Sequence, residues 1–239
     1  MQTAVSREFV EGIFLRELKN RFLCEVKLQG EPTICYVPSS CHLGNFLQLQ
    51  GKRVLLIRNQ GSATRTQYAL FALPYMRSYI LLSPAAANQA VAASLSSRRF
   101  AFLGPRKHYQ AEHKVDGYKA DLYIEDTRTV VEVKAVITTD SEAVFPTVYS
   151  ERTLRQLSTL EKRLDTGMRA CLMIVSLNPY VRQLRIDARS EFGQELELCI
   201  SKGLMIRAFC CRYTTVSGIK IDKSIPVVFG ADMCIDLRA

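Results

Sequence analysis

Two charged residues stand inside an otherwise apolar segment, where an ionisable side chain is costly unless it is paired or bound to a metal. The segment runs from Val130 to Val136 and contains Glu132 and Lys134. Successive side chains of a β-strand point to opposite faces, so both charged side chains lie on one face and their apolar neighbours on the other. This pattern predicts a functional strand rather than a purely structural one.

The segment just upstream supplies a second carboxylate, Asp121. If residues 127–128 form a two-residue turn, the hairpin register pairs Leu122 with Val133. The same register places Asp121 opposite Lys134, and it also stacks apolar side chains on one another. We therefore expect the aspartate and the Glu-x-Lys pair to share one face of a hairpin.

Two carboxylates and a lysine on one face suit the hydrolysis of a phosphodiester. Carboxylate oxygens hold Mg²⁺ or Mn²⁺, which polarises the phosphate, while an ammonium steadies developing charge. The alternative is a buried salt bridge between Lys134 and its carboxylate neighbours. Glu112 is a candidate third ligand, although its polar surroundings also fit a solvated surface glutamate. His108 and His113 receive no role, because magnesium prefers oxygen ligands.

Downstream, residues 150–164 have the periodicity of an amphipathic helix whose leucines face the core. The other faces of this helix carry Arg152, Arg155 and Gln156. These side chains could contact a phosphate backbone or position the lysine. A solvated polar face is the alternative interpretation.

The elements around the charged strand alternate between strands and helices, which predicts an α/β layer with a mixed sheet. Predicted strands are 119–125, 130–137, 170–177 and 204–213, and predicted helices are 85–95, 150–164 and 192–202. Ahead of them, short alternating segments at 21–28, 33–37, 53–57 and 67–73 predict a small barrel or sandwich. The change of character near Ser83 and Pro84 separates domains at 1–84 and 85–239.

The composition favours a polyanionic partner. The 239 residues are 48% hydrophobic, and their net charge is +9 with a pI near 9.2. Nucleic acid is the leading partner; an anionic membrane surface and a merely solubilising charge are the alternatives. The longest apolar stretch, Tyr79 to Leu95, contains polar residues, and no secretion signal opens the chain. We therefore expect no membrane helix and a cytoplasmic protein.

Eight cysteines occur without any Cys-x-x-Cys pair, so we expect reduced core thiols rather than a zinc site or disulfides. Cys171, for example, precedes a run of apolar residues, where a thiol behaves as a small hydrophobe.

These residues resemble the sugar fermentation stimulation protein family, SfsA, whose members are similar to PD-(D/E)xK nucleases with an N-terminal OB-type barrel. The matching segments are residues 20–26, 51–56, 118–122, 131–136, 145–146, 151–152, 203–209 and 218–220. The resemblance implies an α/β fold (α+β overall), with an OB-like small β-barrel at 1–84 followed by a PD-(D/E)xK mixed-sheet α/β domain at 85–239. It also implies metal ligands at Glu112, Asp121 and Glu132, and a catalytic Lys134.

The sequence departs from the family pattern at three places. The family's Phe-Pro-Asp ends here in Thr147, and its Arg-Gly-x-Lys-His-Leu helix start has Thr153 and Gln156 in place of the glycine and the histidine. The Pro-Asn-Thr-Gly of the barrel is replaced at residues 38–41 by Pro-Ser-Ser-Cys. The presumed core is intact, so these changes predict an effect on substrate positioning.

The leading hypothesis is a metal-dependent nuclease that acts on DNA and/or RNA with largely non-specific binding. Candidate nucleic-acid contacts on the barrel are Arg21, Lys52 and Arg53. Aromatic candidates for base stacking are Phe22, Tyr36, Phe46, Tyr68 and Phe71, most of which we expect in the core. The alternative is a non-catalytic DNA-binding protein with a regulatory role in sugar (maltose) metabolism. A purely structural or protein-interaction module ranks last, and the tail at 234–239 is a candidate for homodimer formation.

Overall fold

The computed structural model describes residues 9–39, 42–59, 65–115 and 117–230, together with the backbone of 233–235. The strands are β1 (Phe9–Glu17), β2 (Leu23–Leu28), β3 (Glu31–Tyr36), β4 (Arg53–Arg58), β5 (Tyr68–Tyr75), β6 (Ser78–Leu81), β7 (Tyr109–Ala111), β8 (Lys114–Val115), β9 (Tyr118–Lys119), β10 (Leu122–Ile124), β11 (Thr129–Val136), β12 (Glu142–Val144), β13 (Arg169–Ser176), β14 (Gln183–Ile186), β15 (Met205–Thr214), β16 (Gly218–Ile225), β17 (Val227–Phe229) and β18 (Met233–Ile235). The α-helices are α1 (Ala85–Ser94), α2 (Glu151–Asp165) and α3 (Glu191–Ser201).

The first six strands form an OB-like barrel, as predicted. Their order is β3-β2-β1-β4-β5-β6, and a parallel contact between Tyr36 and Ala69 joins β3 to β5 and closes the ring. A two-residue turn connects β2 to β3, in which Gln29 and Gly30 both have positive φ angles, 49° and 97°. Such angles match the twist of a tight hairpin and are easiest for glycine. Strands β1 and β6 were not predicted from the sequence.

The second sheet is mixed, as the alternation of strands and helices predicted. Its order is β16-β15-β13-β11-β10-β7, in which β11, β13 and β15 run parallel and the outer pairs are antiparallel. Helix α1 contacts β11, β15 and β16, whereas α2 and α3 pack together, with α2 against β13. A further sheet has the order β12-β14-β17-β18, and β8 and β9 form a separate ribbon. The charged strand β11 therefore lies inside a sheet flanked by other elements.

Two apolar cores lie on the two faces of this mixed sheet. The first extends without a break from the barrel through α1 to the sheet, and the rings of Phe71 and Tyr213 meet edge to face at 5.2 Å. The second lies between the sheet and helices α2 and α3. Val131 and Val133 belong to the first core and Val130 and Val136 to the second. Glu132 and Lys134 therefore share one face of the strand, as period-two geometry predicted, and the structure shows that this face is the one towards α2.

The hairpin register that we predicted is wrong by two residues. Strands β10 and β11 are antiparallel, but Leu122 pairs with Val131 rather than with Val133. The connection is longer than two residues, because a 3-10 turn at Glu125–Thr127 is followed by Arg128 in the left-handed region. A shift of two residues preserves the face of every side chain, so Leu122 stays buried.

The remaining predictions agree with the structure in different degrees. Predicted helix and strand bounds differ by one or two residues at most ends, but β7, β8, β12, β14, β16, β17 and β18 were not predicted. Six cysteines are free and buried, namely Cys24, Cys35, Cys171, Cys199, Cys210 and Cys211. Cys41, the Cys234 side chain and the tail proposed for homodimer formation lie outside the described residues. Within the described part of the chain, no helix is long and apolar enough to cross a membrane.

Candidate active site

Glu132 is the buried centre of the candidate site. Its residue exposure is 2%, and it lies in the middle of β11. One carboxylate oxygen, Oε1, accepts hydrogen bonds from Lys134 Nζ at 2.8 Å and from Gln156 Nε2. The other, Oε2, accepts the hydroxyl of Tyr118. A buried carboxylate is tolerated here because three donors from three elements surround it.

Gln156 connects helix α2 to the charged strand. Its amide nitrogen donates to Glu132, and its amide oxygen accepts from the ammonium of Lys134. The helix starts at a Ser150 N-cap, whose side-chain oxygen accepts the backbone N–H of Thr153. Of the two roles that we considered for Gln156, contact with phosphate or positioning of the lysine, its hydrogen bonds match the second.

Asp121 precedes β10 and is held in one orientation by two donors. Its Oδ2 accepts the backbone N–H of Val133 at 2.8 Å, and its Oδ1 accepts Nδ2 of Asn88 at 3.2 Å. The first contact links Asp121 to the same strand that carries Glu132. The second links it to α1, on the opposite side of the sheet from Gln156.

The electrostatics of the site follow from burial. Burial raises the pKa of Glu132, Lys134 opposes that shift, and the nearby Asp121 carboxylate adds to it. Burial and the Glu132 carboxylate also raise the pKa of the Tyr118 hydroxyl well above its usual range. Tyr118 therefore remains a hydrogen-bond donor. The Glu132–Asp121 pair is a site of like charge that a cation would relieve.

A cavity of about 350 Å³ opens beside the cluster. Asn88, Lys134 and Gln156 line it from the side of the cluster. The barrel contributes Phe46 and Ser39, so the cavity lies between the two parts of the fold. Lys134 is 18% exposed at its side chain. The lysine–glutamate ion pair is thus not sealed into a closed core, because its lysine borders open space.

The expected third carboxylate is a backbone neighbour of the site, because Glu112 N–H donates to the Asp121 carbonyl at 2.9 Å, but its side chain is exposed to solvent. Glu112 is exposed, has a φ of 52° and pairs with Lys119 at 2.8 Å between Oε2 and Nζ. This partner lowers the pKa of Glu112. Throughout the described ranges, no group of three His, Cys, Asp or Glu residues is positioned to hold a metal ion. His108, to which we gave no role, pairs with Asp126.

The residues proposed to contact nucleic acid are all at least partly exposed. Arg152 is exposed and lines the cavity, whereas Arg155 is exposed and lies 4.0 Å from Glu151. Lys52 and Arg53 are exposed on the barrel, where Arg53 lies 3.8 Å from Glu11. Arg152 is therefore the predicted basic contact that borders the same cavity as Lys134.

Arg21 belongs to a stacked group on the barrel. Its guanidinium lies 5.0 Å from the centre of the Phe22 ring, which stacks on Tyr36 with centroids 6.5 Å apart. Phe22 and Tyr36 are exposed, at 37% and 40%. Of the other aromatic candidates, Phe71 is buried and both Phe46 and Tyr68 are half-buried.

Sequence reasoning did not assign two residues that the structure brings to the cluster. Tyr118 lies three residues before Asp121, in a segment that resembles the family. This position is the only sequence feature that could have indicated a role for Tyr118. Asn88 interrupts an alanine-rich helix, and a polar residue in that setting was a signal that could have been used.

The oxygens of the cluster fit a hard divalent cation in chemical type. In the described contacts each Asp121 oxygen accepts one hydrogen bond, and so does Glu132 Oε2, which leaves carboxylate lone pairs for a further partner. Oxygen donors with net negative charge are what Mg²⁺ and Ca²⁺ require.

The comparisons with known proteins identify the family. The family model described as "Sugar fermentation stimulation protein RE domain" matches residues 85–217, which is more than half of the chain. The chain belongs to the sugar fermentation stimulation protein family. The resemblance inferred from the sequence is therefore confirmed.

Relatives and a solved structure extend the match over most of the chain. A sugar fermentation stimulation protein homolog from Methanobrevibacter smithii is 25% identical over 229 residues, covering 90% of this chain and 95% of the relative. Another from Thermotoga neapolitana is 30% identical over 207 residues, covering 85% and 88%. The structure of Pyrococcus furiosus SfsA in complex with Ca²⁺ has a TM-score of 0.76 at 18% identity, covering 92% of this chain and 96% of that one. At this identity the solved structure supports the fold.

Proposed function

We propose that this member of the family is a metal-dependent nuclease that hydrolyses phosphodiester bonds in DNA or RNA. The observation that carries the proposal is the buried Glu132–Lys134 pair with Asp121 beside it, next to an open cavity. A purely structural role does not require a buried carboxylate to be kept near a second carboxylate.

Asp121 and Glu132 are the residues that would hold Mg²⁺ or Mn²⁺. When bound, such an ion polarises the phosphate and lowers the pKa of a coordinated water. The Pyrococcus furiosus relative was solved with Ca²⁺, another hard cation with oxygen ligands, which supports the proposal that a divalent cation binds this protein. Glu112 is left out of the proposed set, because it is exposed and paired with Lys119.

Lys134 would act on the phosphate. An ammonium has three N–H groups, and Glu132 Oε1 and Gln156 Oε1 accept two of them. The third remains for a phosphate oxygen in the cavity that Lys134 lines. In the proposed reaction a water oxygen bonds to phosphorus and the bond from phosphorus to one sugar oxygen breaks. The water loses a proton to solvent and the departing oxygen gains one, so one water is consumed per bond cut.

Binding of the strand would be separate from this chemistry. The cavity lies where the barrel meets the α/β domain, and Arg152 borders it with a positive charge. On the barrel the exposed Phe22–Tyr36 stack and Arg21 offer the flat rings and the charge that hold single strands. Such contacts do not read base sequence, so the binding is expected to be largely non-specific.

Cleavage assays with matched variants test the proposal. We would incubate plasmid and labelled single-stranded DNA and RNA with Mg²⁺ or Mn²⁺ and wild type, Lys134→Ala, Asp121→Asn or Arg155→Ala. We expect Lys134→Ala and Asp121→Asn to abolish cleavage and to retain most of the salt-sensitive binding, whereas Arg155→Ala, on the exposed side of α2, cuts like wild type. Equal cleavage by all four proteins would reject the site.

A non-catalytic DNA-binding role is the second candidate. It is favoured by the fact that the described residues contain no cluster of three metal-ligating side chains. It is also consistent with the hydrogen bonds that engage both Glu132 oxygens. In that case wild type binds DNA with a salt-dependent affinity but cuts no substrate with either metal.

A further inference from the structure

Asn88 presents a buried oxygen that has no partner. Its amide nitrogen donates to Asp121 Oδ1 at 3.2 Å, while its amide oxygen is buried and accepts no hydrogen bond in the described structure. The opposite orientation of the amide would put its oxygen against a carboxylate oxygen. The contact with Asp121 thus fixes which end of the amide is left unpaired.

The surroundings of Asn88 make this oxygen unusual. The neighbouring positions of α1 that face the core are alanines, Ala86, Ala87 and Ala90, and a small apolar side chain would suit the helix. A buried polar atom without a partner is costly and calls for an explanation. Here the amide that carries the unpaired atom contacts Asp121, and Asn88 is one of the residues that line the cavity together with Lys134.

The type of the missing partner follows from the neighbouring groups. Asn88 Oδ1 and the carboxylate oxygens of Asp121 and Glu132 are all acceptors, so any further partner that they share must be positively charged or must donate hydrogen bonds. Asparagine carbonyl oxygens are ordinary ligands of hard cations, alongside carboxylates. A neutral amide also adds an oxygen without adding a third negative charge to two carboxylates that already repel each other.

We propose that Asn88 Oδ1 is a further ligand of the divalent cation held by Asp121 and Glu132, in the role expected of Glu112. The inference rests on the proposed function, because it assumes the same cation. Nδ2 of Asn88 meanwhile keeps Asp121 in place. Helix α1 thereby contributes to the site from the side opposite Gln156.

Mn²⁺ titration followed by electron paramagnetic resonance tests the proposal on the full chain without any assay of activity. The variants are Asn88→Ala, Asn88→Asp and the control Gln89→Ala, whose residue is exposed on the same helix. We expect Asn88→Ala to weaken Mn²⁺ binding about tenfold or more, as loss of a group supporting a metal does. Gln89→Ala should bind like wild type.

Thermal unfolding with and without Mn²⁺ gives the second readout. Asn88→Asp adds a third carboxylate, so its melting temperature should fall without metal and should rise more than that of wild type when Mn²⁺ is added. Mn²⁺ affinity of Asn88→Ala equal to that of wild type, or an equal Mn²⁺-induced rise for Asn88→Asp and wild type, would overturn the role of Asn88 alone. Absence of Mn²⁺ binding by wild type would overturn both this inference and the proposed metal-dependent nuclease function.

Discussion

Strands β4 and β11 show two ways of treating charge in one molecule. In β4, in the barrel, Arg53 and Arg58 stand at the two ends and the residues between them are apolar and mostly buried. In β11 the charges of Glu132 and Lys134 lie inside the strand, and Glu132 is among the most buried residues of the protein. A charge at a strand end meets water, but a charge inside a sheet depends on partners from other elements. The charges of β4 are thus solvated, whereas those of β11 are held by each other and by Tyr118 and Gln156.

Replacing Lys134 by methionine should produce the largest difference between the two strands. It leaves the Glu132 carboxylate buried without its cation, and breaking a buried pair in this way costs about 3 kcal/mol. The matched change on the barrel, Lys52→Met, removes an exposed charge and should alter the free energy of unfolding by less than about 0.5 kcal/mol. Urea unfolding of both variants measures the two losses of unfolding free energy. Equal losses would show that the two strands do not differ in how much they depend on their charges.

Gln156→Ala should have the next largest effect. It removes a side chain that hydrogen-bonds both members of the buried pair, which we expect to cost about 2 kcal/mol. Its neighbour Arg155 is exposed, so Arg155→Ala serves as the control. The two variants can be compared by urea unfolding and by cleavage rate. A cost for Gln156→Ala no larger than that of the control would show that the amide does not support the pair.

Glu132→Gln should change how stability depends on pH. The pKa of Glu132 is raised in the folded protein, so between its ordinary value and the raised value the folded state binds more protons than the unfolded state. Wild-type stability therefore loses a contribution as the pH rises through that window, at most about 1.4 kcal/mol per pH unit for one proton. Glu132→Gln lacks this loss. The unfolding free energy of the variant should therefore rise relative to that of wild type as the pH rises. A pH-independent difference would contradict the raised pKa.

Neutralising a charge on the barrel should have the smallest effect. We expect Arg21→Ala or Lys52→Ala to weaken nucleic-acid binding about threefold to tenfold. Each change should also reduce the slope of log affinity against log salt concentration by about one, since one counterion fewer is released. Fluorescence polarisation at several salt concentrations measures both quantities. The cleavage rate at saturating substrate should stay unchanged, since neither residue lines the cavity beside the cluster. A lower saturating rate with unchanged affinity would place barrel residues in the chemical step.

Period and composition predicted much of the fold. Alternation predicted the face that Glu132 and Lys134 share, and the leucines of 150–164 predicted α2 and its buried side. The register of β10 and β11 could not be obtained in this way. A two-residue shift leaves the apolar pattern unchanged, and only the conformation of the 3-10 turn and Arg128 decides between the two pairings.

Local sequence patterns predicted only the part of the site that comes from neighbouring strands. Glu132, Lys134 and Asp121 come from two neighbouring strands, and their proximity followed from the hairpin. The contributions of Asn88 and Gln156 depend on how α1 and α2 pack on opposite faces of the sheet, which no spacing in the sequence specifies. Glu112 has the right chemistry, and its backbone N–H donates to the Asp121 carbonyl, but its side chain is exposed and pairs with Lys119.

Anomalous diffraction from a crystal soaked with Mn²⁺ would locate the cation itself. We predict a single strong anomalous peak in contact with the carboxylates of Asp121 and Glu132, at the edge of the cavity that Lys134 lines. Fully occupied Mn²⁺ sites elsewhere on the protein, with these two carboxylates keeping only their hydrogen bonds to protein donors, would contradict the proposed site.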